Sequence, residues 1–259
     1  MAGGGRFWLM NLNLQDRRVL VTGASHGIGL GIARSFVDEG ARVAITGRNL
    51  QRLKKAALEL KCGALVCPGD LTRPDVIRRI LARVEKCWGG LDILILNLGS
   101  GKSVPHPDAA EWNRVLELNL VSAMETLRQA TPMLSKGLNP AVVFIGSIAG
   151  LEALGAPIAY GAAKAALTHA IKSAARLLAP NGIRVNMVAP GNIFFPGGTW
   201  DKKLGENKKS VETMIASEVP LRRLGGIEEV VAPVLFLTSS RASFVTGTCL
   251  VVDGGQTRS

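Results

Sequence analysis

Seven short aliphatic runs alternate with longer amphipathic segments along almost the whole chain. The runs cover residues 18–22, 43–46, 64–67, 92–96, 142–145, 184–188 and 248–252. Helical periodicity covers residues 28–39, 49–59, 73–88, 110–136, 158–179 and 227–238. Runs without polar alternation are typical of strands buried on both faces, and helical crossovers join strands that run in parallel. The alternation therefore predicts a doubly wound α/β fold, a parallel sheet with helices on both faces.

The chain shows no repeat, linker or low-complexity tract that would divide it. We expect residues 14–259 to form a single domain. Residues 1–13, which contain the candidate translation starts Met1 and Met10, are expected to form a flexible extension. The segment 194–217 is the one long insertion without a strand pattern, and its Pro196-Gly197-Gly198 is typical of a mobile flap.

Composition argues against several classes of protein. The longest apolar runs, such as residues 91–98, fall well short of the roughly 20 residues that a membrane helix needs. The apolar residues 7–10 are too few for a signal peptide. No C-x-x-C pair occurs among the four cysteines, which are Cys62, Cys67, Cys87 and Cys249. We therefore expect a cytoplasmic protein without disulfides, a membrane span or a metal site.

The formal charge is +11, from 31 Lys and Arg against 20 Asp and Glu. The basic residues lie on separate segments, including residues 52–55, 73–86 and 202–209, rather than along one stripe. Because the chain carries no nucleic-acid motif and has one tyrosine and four tryptophans, we do not expect nucleic-acid binding. The charge then reflects either solvated helix faces or an attraction for phosphorylated cofactors and anionic substrates.

A glycine-rich turn follows the first predicted strand and leads directly into the first predicted helix. It reads Thr22-Gly-Ala-Ser-His-Gly-Ile-Gly29. Glycines let a backbone turn tightly and approach a pyrophosphate, and the N-terminus of the next helix presents free N–H groups. A plain tight turn is the alternative. The strand-turn-helix context favours a dinucleotide site, with contacts from Gly23, Ser25, His26, Gly27, Ile28 and Gly29.

The end of the second predicted strand bears on the choice of dinucleotide. An NAD site usually places an Asp or Glu there to accept hydrogen bonds from the adenosine ribose. This strand ends instead in Gly47-Arg48-Asn49. A guanidinium can bind a 2′-phosphate through two hydrogen bonds, so NADP(H) is favoured over NAD(H). A solvated residue at a helix start is the alternative for Arg48, and His26 is a candidate second contact.

Ser147, Tyr160 and Lys164 form the candidate catalytic group. Ser147 follows the fifth predicted strand, and ligands bind at the carboxyl ends of parallel strands. Tyr160 and Lys164 are four residues apart, so they share one face of a helix. A nearby ammonium lowers the pKa of a tyrosine from about 10 by stabilising the phenolate. Taken alone, the pair would read as two exposed residues on an alanine-rich helix.

Taken together, these motifs resemble the short-chain dehydrogenase/reductase family. The resemblance rests on the glycine-rich turn, Asn119, Ser147, Tyr160-x-x-x-Lys164, Pro190-Gly191 and the final Asp253-Gly-Gly, in that order. It covers residues from about 14 to 252. It implies a Rossmann-like domain with about seven parallel strands, commonly a homotetramer assembled through the helices near 110–136 and 158–179. It also implies hydride transfer between nicotinamide C4 and a carbonyl or alcohol carbon of a small-molecule substrate.

The resemblance implies a role for each catalytic residue. Tyr160 exchanges a proton with the substrate oxygen, Lys164 lowers the pKa of Tyr160 and binds the nicotinamide ribose, and Ser147 hydrogen-bonds the substrate oxygen. Asn119 resembles the residue whose backbone holds a water of the proton relay, although a buried polar residue within a helix is its alternative. Besides Tyr160 and Lys164, cofactor contacts are implied for Asp70, Leu71, Asn97, Gly99, Pro190, Gly191 and Ile193. A helix cap is the alternative for Asp70.

Two positions depart from the family pattern. The family's Asn-Asn-Ala-Gly after the fourth strand is Leu96-Asn97-Leu98-Gly99 here, so leucines replace one Asn and the Ala. A threonine that often reaches the cofactor from beyond the Pro-Gly pair is Phe195 here. We expect the packing beside the cofactor to differ, while Gly191 and the backbone of Ile193 keep their contacts.

The predicted flap indicates a substrate class. It opens with Phe194, Phe195 and Trp200 and continues with Lys202, Lys203, Lys208 and Lys209. An apolar mouth followed by cations suits a 3-oxoacyl chain on an acyl-carrier protein or coenzyme A, although a solvated helix face is the alternative for the lysines. Asn181 departs from the arginine common in carrier-dependent reductases. A dehydrogenase for a sugar, cyclic alcohol or steroid, and a catalytically idle nucleotide-binding protein, are the competing functions.

Overall fold

Seven strands form one sheet in the computed structural model, which describes residues 11–60, 63–102 and 104–258. The strands are β1 Arg18–Val21, β2 Arg42–Gly47, β3 Leu65–Pro68, β4 Ile93–Leu96, β5 Ala141–Ile145, β6 Arg184–Pro190 and β7 Cys249–Val252. Each predicted strand is present within two residues of its predicted bounds. The predicted Rossmann-like fold is confirmed.

The strand order places the candidate site at one edge of the sheet. The order is β3-β2-β1-β4-β5-β6-β7, and every neighbouring pair is parallel. In the register, Val21 of β1 lies between Ile45 of β2 and Ile95 of β4. Because the order reverses beside β1, the crevice outside the carboxyl ends at this point is where such sheets bind ligands. The loops after β1, β2, β4, β5 and β6 all reach this edge.

Helices cover both faces of the sheet. In the described ranges they are α1 Gly27–Asp38, α2 Leu50–Glu59, α3 Pro74–Trp88, α4 Ala109–Leu116, α5 Ser122–Leu134, α6 Ile158–Leu178, α7 Thr199–Glu218 and α8 Ile227–Thr238. Neighbouring strand residues point to opposite faces, as the period of two requires. Leu20 of β1 packs with α3, α5 and α6, whereas Val19 and Val21 pack with α1, α2 and α8.

The predicted helix 110–136 is divided by a π-helical turn. α4 ends at Leu116, the π turn covers Glu117–Val121, and α5 follows directly. Such turns insert one residue into the helical hydrogen-bond ladder and are frequent at functional sites. Asn119 lies in this turn and is fully buried. Apolar periodicity does not reveal the turn, because the chain continues in nearly the same direction.

The predicted flap contains a helix, which the sequence indicated only as the alternative for its lysines. α7 spans Thr199–Glu218 and bends at Asn207, where φ is −154° and ψ is 83°. The prediction that residues 194–217 contain no strand is correct. The helix was missed because its apolar periodicity is weak: Val211 is the only residue of α7 that is buried. Most of α7 therefore lies at the surface, and the mobility of the flap stays a prediction.

The first described residues, from Asn11 onward, contact the rest of the domain. The Asn11 carbonyl accepts a hydrogen bond from Arg241 Nε at 2.8 Å, and Asn13 Nδ2 donates to Ser240 Oγ at 2.8 Å. Of the predicted extension, residues 1–10 lie outside the described residues, as does Cys62. The cysteines at 67, 87 and 249 are free thiols. No helix within the described ranges has the length and apolarity needed to cross a membrane.

Candidate active site

The glycine-rich turn between β1 and α1 is held in shape by Asn97. The Asn97 side chain donates hydrogen bonds to the carbonyls of Thr22 at 3.2 Å and Gly23 at 3.1 Å. Its backbone N–H donates to Thr22 Oγ1 at 2.9 Å. A Cβ added to Gly29 would lie 2.4 Å from Asn97 Nδ2, so only glycine fits there. Asn97 therefore acts on the loop itself, which is a structural role that the sequence did not show.

The N-terminus of α1 can receive an anion. His26 is the N-cap residue of α1, and its side chain makes no capping hydrogen bond. The first backbone N–H groups of a helix have no partner inside the helix and favour negative charge. Gly27, with φ of +58°, starts the helix in a conformation that glycine tolerates and other residues rarely adopt. The predicted residues from Gly23 to Gly29 thus form a tight turn that leads into a helix N-terminus, and their contacts with a phosphate stay predictions.

Arg48 lies at the rim of this turn. The Ala24 N–H donates to the Thr46 carbonyl at 3.0 Å, which ties the turn to the end of β2. A Cβ added to Gly47 would lie 3.5 Å from Ser25 Cβ, so the residue that precedes Arg48 lies against the turn. Arg48 is exposed, and within the described ranges no carboxylate pairs with it. Its guanidinium is therefore available to an anionic ligand.

Asp70 and Leu71 have local structural roles. Asp70 Oδ1 accepts hydrogen bonds from the N–H of Thr72 at 3.1 Å and from Thr72 Oγ1 at 2.9 Å. Leu71 is buried in the core beneath α3. Asp70 thus fixes the turn that precedes α3. Its alternative role was a helix cap, but the N-cap residue of α3 is Arg73. The cofactor contacts of Asp70 and Leu71 stay predictions.

The structure brings Ser147, Tyr160 and Lys164 together at the carboxyl end of β5. Tyr160 is half-buried and shares a hydrogen bond with the Ser147 side chain. Lys164 is 3% exposed, and its Nζ donates to the Ile145 carbonyl at 3.0 Å. Lys164 Nζ lies 5.8 Å from the centre of the Tyr160 ring. One turn of α6 therefore presents a phenol and an ammonium to the same edge of the sheet.

The pKa of Tyr160 differs from the prediction. Burial raises the pKa of Tyr160, and the hydrogen bond from Ser147 opposes that shift only in part. The predicted lowering by Lys164 is wrong for this structure, because the ammonium is bonded to the Ile145 carbonyl instead of the phenol. Burial also lowers the pKa of Lys164 to about 8. At neutral pH, Tyr160 is therefore a neutral phenol beside a largely charged ammonium.

Asn119 joins the π turn to the loop after β4. Its Oδ1 accepts from the N–H of Ser100 at 3.0 Å, and its Nδ2 donates to the carbonyls of Ser100 at 3.2 Å and Val115 at 3.0 Å. A Cβ added to Gly99 would lie 2.8 Å from Asn119 Oδ1 and 3.3 Å from Lys164 Nζ. Gly99 thus lets the loop approach both side chains. Ser100 is a partner that sequence reasoning missed, since its backbone makes these contacts.

The two leucines that depart from the family pattern belong to the core. Leu96 is buried, and Leu98 packs against the same apolar cluster, between the sheet and α3, α5 and α6. Asn97 and Gly99 lie on either side of Leu98 and keep their contacts with the glycine-rich turn and with Asn119. Both leucines therefore contribute to the core, and a difference in packing beside the cofactor stays a prediction.

Phe195 lies against the glycine-rich turn. A Cβ added to Gly27 would lie 2.7 Å from Phe195 Cε2, and one added to Gly198 would lie 2.9 Å from the same atom. The Phe195 ring is held between these two glycines and packs on the cluster beneath α1, α2 and α8. It covers the Gly27 side of the turn, whereas the side with Ser25 and Arg48 stays open.

The Pro190-Gly191 turn is fixed by contacts on both sides. The Gly191 N–H donates to the Val252 carbonyl at 2.9 Å, and a Cβ added to Gly191 would lie 2.7 Å from Asp253 Cβ. Ile193 is buried and forms a bridge with Gly225. The backbone that was predicted to contact a cofactor is therefore held at the same edge as Ser147.

These residues fit a dinucleotide. The glycine-rich turn leads into a helix N-terminus, Arg48 is exposed and has no carboxylate partner within the described ranges, and Tyr160 and Lys164 lie further along the same edge. In the described part of the chain, no three His, Cys, Asp or Glu side chains are grouped to hold a metal ion. A groove of about 520 Å³ runs along the second half of α7, lined by Lys209, Met214 and their neighbours, and it includes no residue of the predicted catalytic group.

The sequence matches a family described as enoyl-(acyl carrier protein) reductase over residues 23–257. An uncharacterized oxidoreductase of Schizosaccharomyces pombe is 36% identical over 248 residues, which are 94% of this chain and 92% of that protein. The 3-oxoacyl-(acyl-carrier-protein) reductase FabG of Escherichia coli is 32% identical over 246 residues, which are 94% of this chain and 98% of FabG. The similarity extends over almost the full length of each relative.

Solved structures with a similar fold contain different nicotinamide cofactors. The L-sorbose reductase from Gluconobacter frateurii, complexed with NADPH and L-sorbose, has a TM-score of 0.90 at 29% identity, covering 96% of this chain and 100% of that one. A 7α-hydroxysteroid dehydrogenase, complexed with NADH and 7-oxo glycochenodeoxycholic acid, has a TM-score of 0.87 at 29% identity, covering 96% and 97%. The fold thus occurs with either nicotinamide cofactor and with chemically different ketones.

Proposed function

Because the chain belongs to the short-chain dehydrogenase/reductase family, we propose that it is an NADPH-dependent reductase that converts a carbonyl group to a secondary alcohol. The oxidoreductase class is common to its relatives. The observation that carries the proposal is the grouping of Ser147, Tyr160 and Lys164 at the carboxyl end of β5, with Asn119 bonded behind them. The intact group argues against a catalytically idle nucleotide-binding protein.

The protein side chains handle the proton. A nicotinamide bound at this edge supplies the hydride for the carbonyl carbon. Tyr160, a neutral phenol because burial raises its pKa, donates its proton to the carbonyl oxygen as negative charge develops there. Ser147, which lies within hydrogen-bonding reach of Tyr160, turns its single O–H from the phenol to that oxygen and stabilises the charge. The Lys164 ammonium, held by the Ile145 carbonyl, would bind the ribose hydroxyls beside the nicotinamide.

The preference for NADPH rests on Arg48. Its exposed guanidinium follows β2 at the rim of the glycine-rich turn, where an NAD site usually has an acidic side chain. A guanidinium binds a 2′-phosphate through two charge-assisted hydrogen bonds, whereas it has no acceptor for the ribose hydroxyls of NAD. His26 lies beside Ser25 on the same rim, with 3.2 Å between its Nδ1 and Ser25 Oγ, and would add a second contact.

A 3-oxoacyl thioester is the substrate that the sequence and the relatives favour. The apolar side chains of Phe194, Phe195 and Trp200 precede the exposed lysines of α7, and FabG is among the relatives. A sugar ketone is the second candidate, because the TM-score to the L-sorbose reductase is 0.90. The same assay distinguishes the two, since each candidate is supplied separately.

The test is NADPH oxidation by the purified protein with a short 3-oxoacyl thioester and, separately, with L-sorbose. We expect turnover of the thioester, and we expect Tyr160→Phe to abolish turnover while NADPH still binds. Turnover of L-sorbose alone would favour the second candidate. NADPH binding without reduction of any ketone in a broad panel would contradict the reductase proposal.

The proposed assembly is a cytoplasmic homotetramer joined through the α4–α5 and α6 regions. Val121 and Ile158 in these regions are 46% and 60% exposed, which is consistent with burial against a second copy. An acyl-carrier protein is a candidate partner at α7. That helix carries four lysines and four carboxylates, so docking would depend on their arrangement and not on net charge. Comparing carrier-linked and coenzyme A-linked substrates tests the carrier.

A further inference from the structure

A short segment after β4, residues 100–102, lies against the ring of Tyr160. A Cβ added to Gly101 would lie 3.9 Å from Cε1 and Cζ of Tyr160 and 4.0 Å from Cδ1. Cζ is the carbon that bears the phenol hydroxyl, so Gly101 faces the edge of the ring that carries the reacting proton. A ketone that accepts this proton lies within about 2.6–3.2 Å of the hydroxyl oxygen. Gly101 therefore borders the space that the ketone would occupy.

Hydrogen bonds hold this segment at both ends. At one end, the N–H and the carbonyl of Ser100 bond to the buried side chain of Asn119, at 3.0 Å and 3.2 Å. At the other end, the Lys102 carbonyl accepts a hydrogen bond from Arg114 Nη2 at 3.0 Å. Gly101 lies between these two contacts, so its position beside the phenol depends on both.

A carboxylate orients the Arg114 guanidinium. Arg114 Nε donates to Glu111 Oε2 at 2.6 Å, and Arg114 Nη2 donates to Glu111 Oε1 at 2.7 Å. Two parallel hydrogen bonds to a carboxylate fix the direction of a guanidinium as well as its position. Both residues lie on α4, and this helix and Tyr160 pack together in the apolar cluster around Val115. The helix that packs with the phenol therefore also holds the segment beside it.

A second arginine shows what is particular to Arg114. On α5, Arg128 makes the same pair of hydrogen bonds with Glu125, three residues before it, both at 2.7 Å. Within the described ranges, the Arg128 guanidinium bonds to no other segment. Because exposed ion pairs of this kind contribute little to stability, the contact with Lys102 is what distinguishes Arg114.

We propose that Arg114 is a positioning residue, which holds the segment 100–102 in place as the wall of the substrate pocket beside the Tyr160 hydroxyl. Arg114 acts through this segment and not on the reacting atoms. A wall that is ordered before the ketone binds spares the ketone the cost of ordering it, so loss of the arginine weakens substrate binding. The inference rests on the proposed function, because it assigns the wall of the pocket in which that reaction takes place.

Three substitutions test the inference. Arg114→Met removes the guanidinium and keeps an unbranched side chain. Arg128→Met is the matched control, because it removes the same kind of ion pair from α5 without a contact to the segment. Gly101→Ala leaves both end contacts in place and adds a methyl group 3.9 Å from the Tyr160 ring, which is an ordinary van der Waals distance, so the variant should fold normally.

Hydrogen exchange, followed by mass spectrometry without substrate, measures how firmly the segment is held. Peptides that contain residues 100–102 should exchange about tenfold faster in Arg114→Met than in the wild type, since loss of a hydrogen bond lets the segment open more often. Arg128→Met and Gly101→Ala should exchange like the wild type. Unchanged exchange in Arg114→Met, or an equal increase in Arg128→Met, would overturn the inference whatever reaction the protein catalyses.

Steady-state reduction of the 3-oxoacyl thioester tests the effect on the reaction. We expect the KM for the thioester to rise about threefold to tenfold in Arg114→Met, with kcat nearly unchanged because Tyr160 and Ser147 keep their own supports. Gly101→Ala should lower kcat/KM, since its methyl group takes space beside the hydroxyl, and Arg128→Met should match the wild type.

The outcomes separate this inference from the proposed function. A wild-type KM in Arg114→Met, or a wild-type kcat/KM in Gly101→Ala, would show that the segment does not border the substrate. Either result would overturn the inference and leave the reductase standing. Absence of turnover with any ketone in the wild-type protein would overturn the proposed function and the inference with it, even if Arg114→Met exchanged faster.

Discussion

Replacing the buried Lys164 by methionine should stabilise the protein while it removes activity. Lys164 is 3% exposed, and burial lowers its pKa from 10.5 to about 8. A shift of about 2.5 units, at about 1.36 kcal/mol per unit, corresponds to roughly 3 kcal/mol of folding free energy lost at neutral pH. Methionine fills a similar volume without a charge, so Lys164→Met should recover most of that loss at pH 7.

The pH dependence gives this prediction its sign. Because the folded pKa is below the unfolded value, the unfolded chain binds the proton more tightly, and wild-type stability rises between pH 8 and about 10.5. The cost of the buried charge is complete below pH 8 and disappears above about 10.5. The stability gain of Lys164→Met should therefore be about 2 to 3 kcal/mol at pH 7 and should vanish by pH 10.5.

Urea unfolding of both proteins at pH 7, 8, 9 and 10.5 measures the difference, and other titrating groups cancel between them. Lys172→Met is the matched control, since Lys172 is an exposed lysine on the same helix, and at pH 7 it should change the free energy of unfolding much less than Lys164→Met does. A Lys164→Met variant that is less stable at pH 7, or a difference that does not change with pH, would refute the reasoning about the buried ammonium.

Three further predictions concern the cofactor site and the rate. Gly27→Ala should lower the free energy of unfolding by about 1–2 kcal/mol because of the φ of +58°, and by about a further 1–3 kcal/mol because the new Cβ would lie 2.7 Å from the Phe195 ring. Urea unfolding should therefore show a smaller loss of stability in a Phe195→Ala background. Equal losses in both backgrounds would contradict the contact. Arg48→Ala should weaken NADPH binding roughly tenfold to a hundredfold and leave NADH unaffected, as measured by fluorescence titration; unchanged NADPH affinity would contradict the 2′-phosphate contact. In steady-state assays of ketone reduction, kcat/KM for NADPH should fall as pH rises through about 8, where Lys164 of the enzyme without NADPH loses its proton. Lys164→Arg should move this descending part of the pH profile to higher pH. A fall that stays at pH 8 in the arginine variant would assign it to another group.

The fold could be predicted because the apolar pattern and the topology agree. Strands such as β4 and β5 are buried along their whole length and read as uninterrupted aliphatic runs. α7 could not be predicted in the same way, because a surface helix with one buried residue, Val211, carries almost no apolar periodicity. The π turn around Asn119 was equally hidden, since it changes hydrogen bonding without changing composition.

The residues of the candidate site could be predicted from the sequence, whereas their pKa values and hydrogen-bond partners could not. The structure brings Ser147, Tyr160 and Lys164 close together as predicted. Residue spacing on a helix and the order of the strands determine which side chains can lie near one another. The shift in the pKa of Tyr160 depends on how deeply the phenol is buried and on where the Lys164 ammonium finds its acceptor, and neither is encoded in spacing. The hydrogen bond from the Asn97 side chain to the Gly23 carbonyl of the glycine-rich turn is likewise a tertiary contact that spacing does not encode.

Transfer of deuterium from the cofactor to the substrate distinguishes direct hydride transfer from reduction with solvent hydrogen. NADPH deuterated at nicotinamide C4, on each face in turn, is incubated with the protein and a short 3-oxoacyl thioester, and the product is analysed by mass spectrometry. The account predicts one deuterium on the carbinol carbon from one of the two faces, and none on that carbon when unlabelled NADPH is used in deuterated water. A product without deuterium from either face would contradict direct hydride transfer at this site.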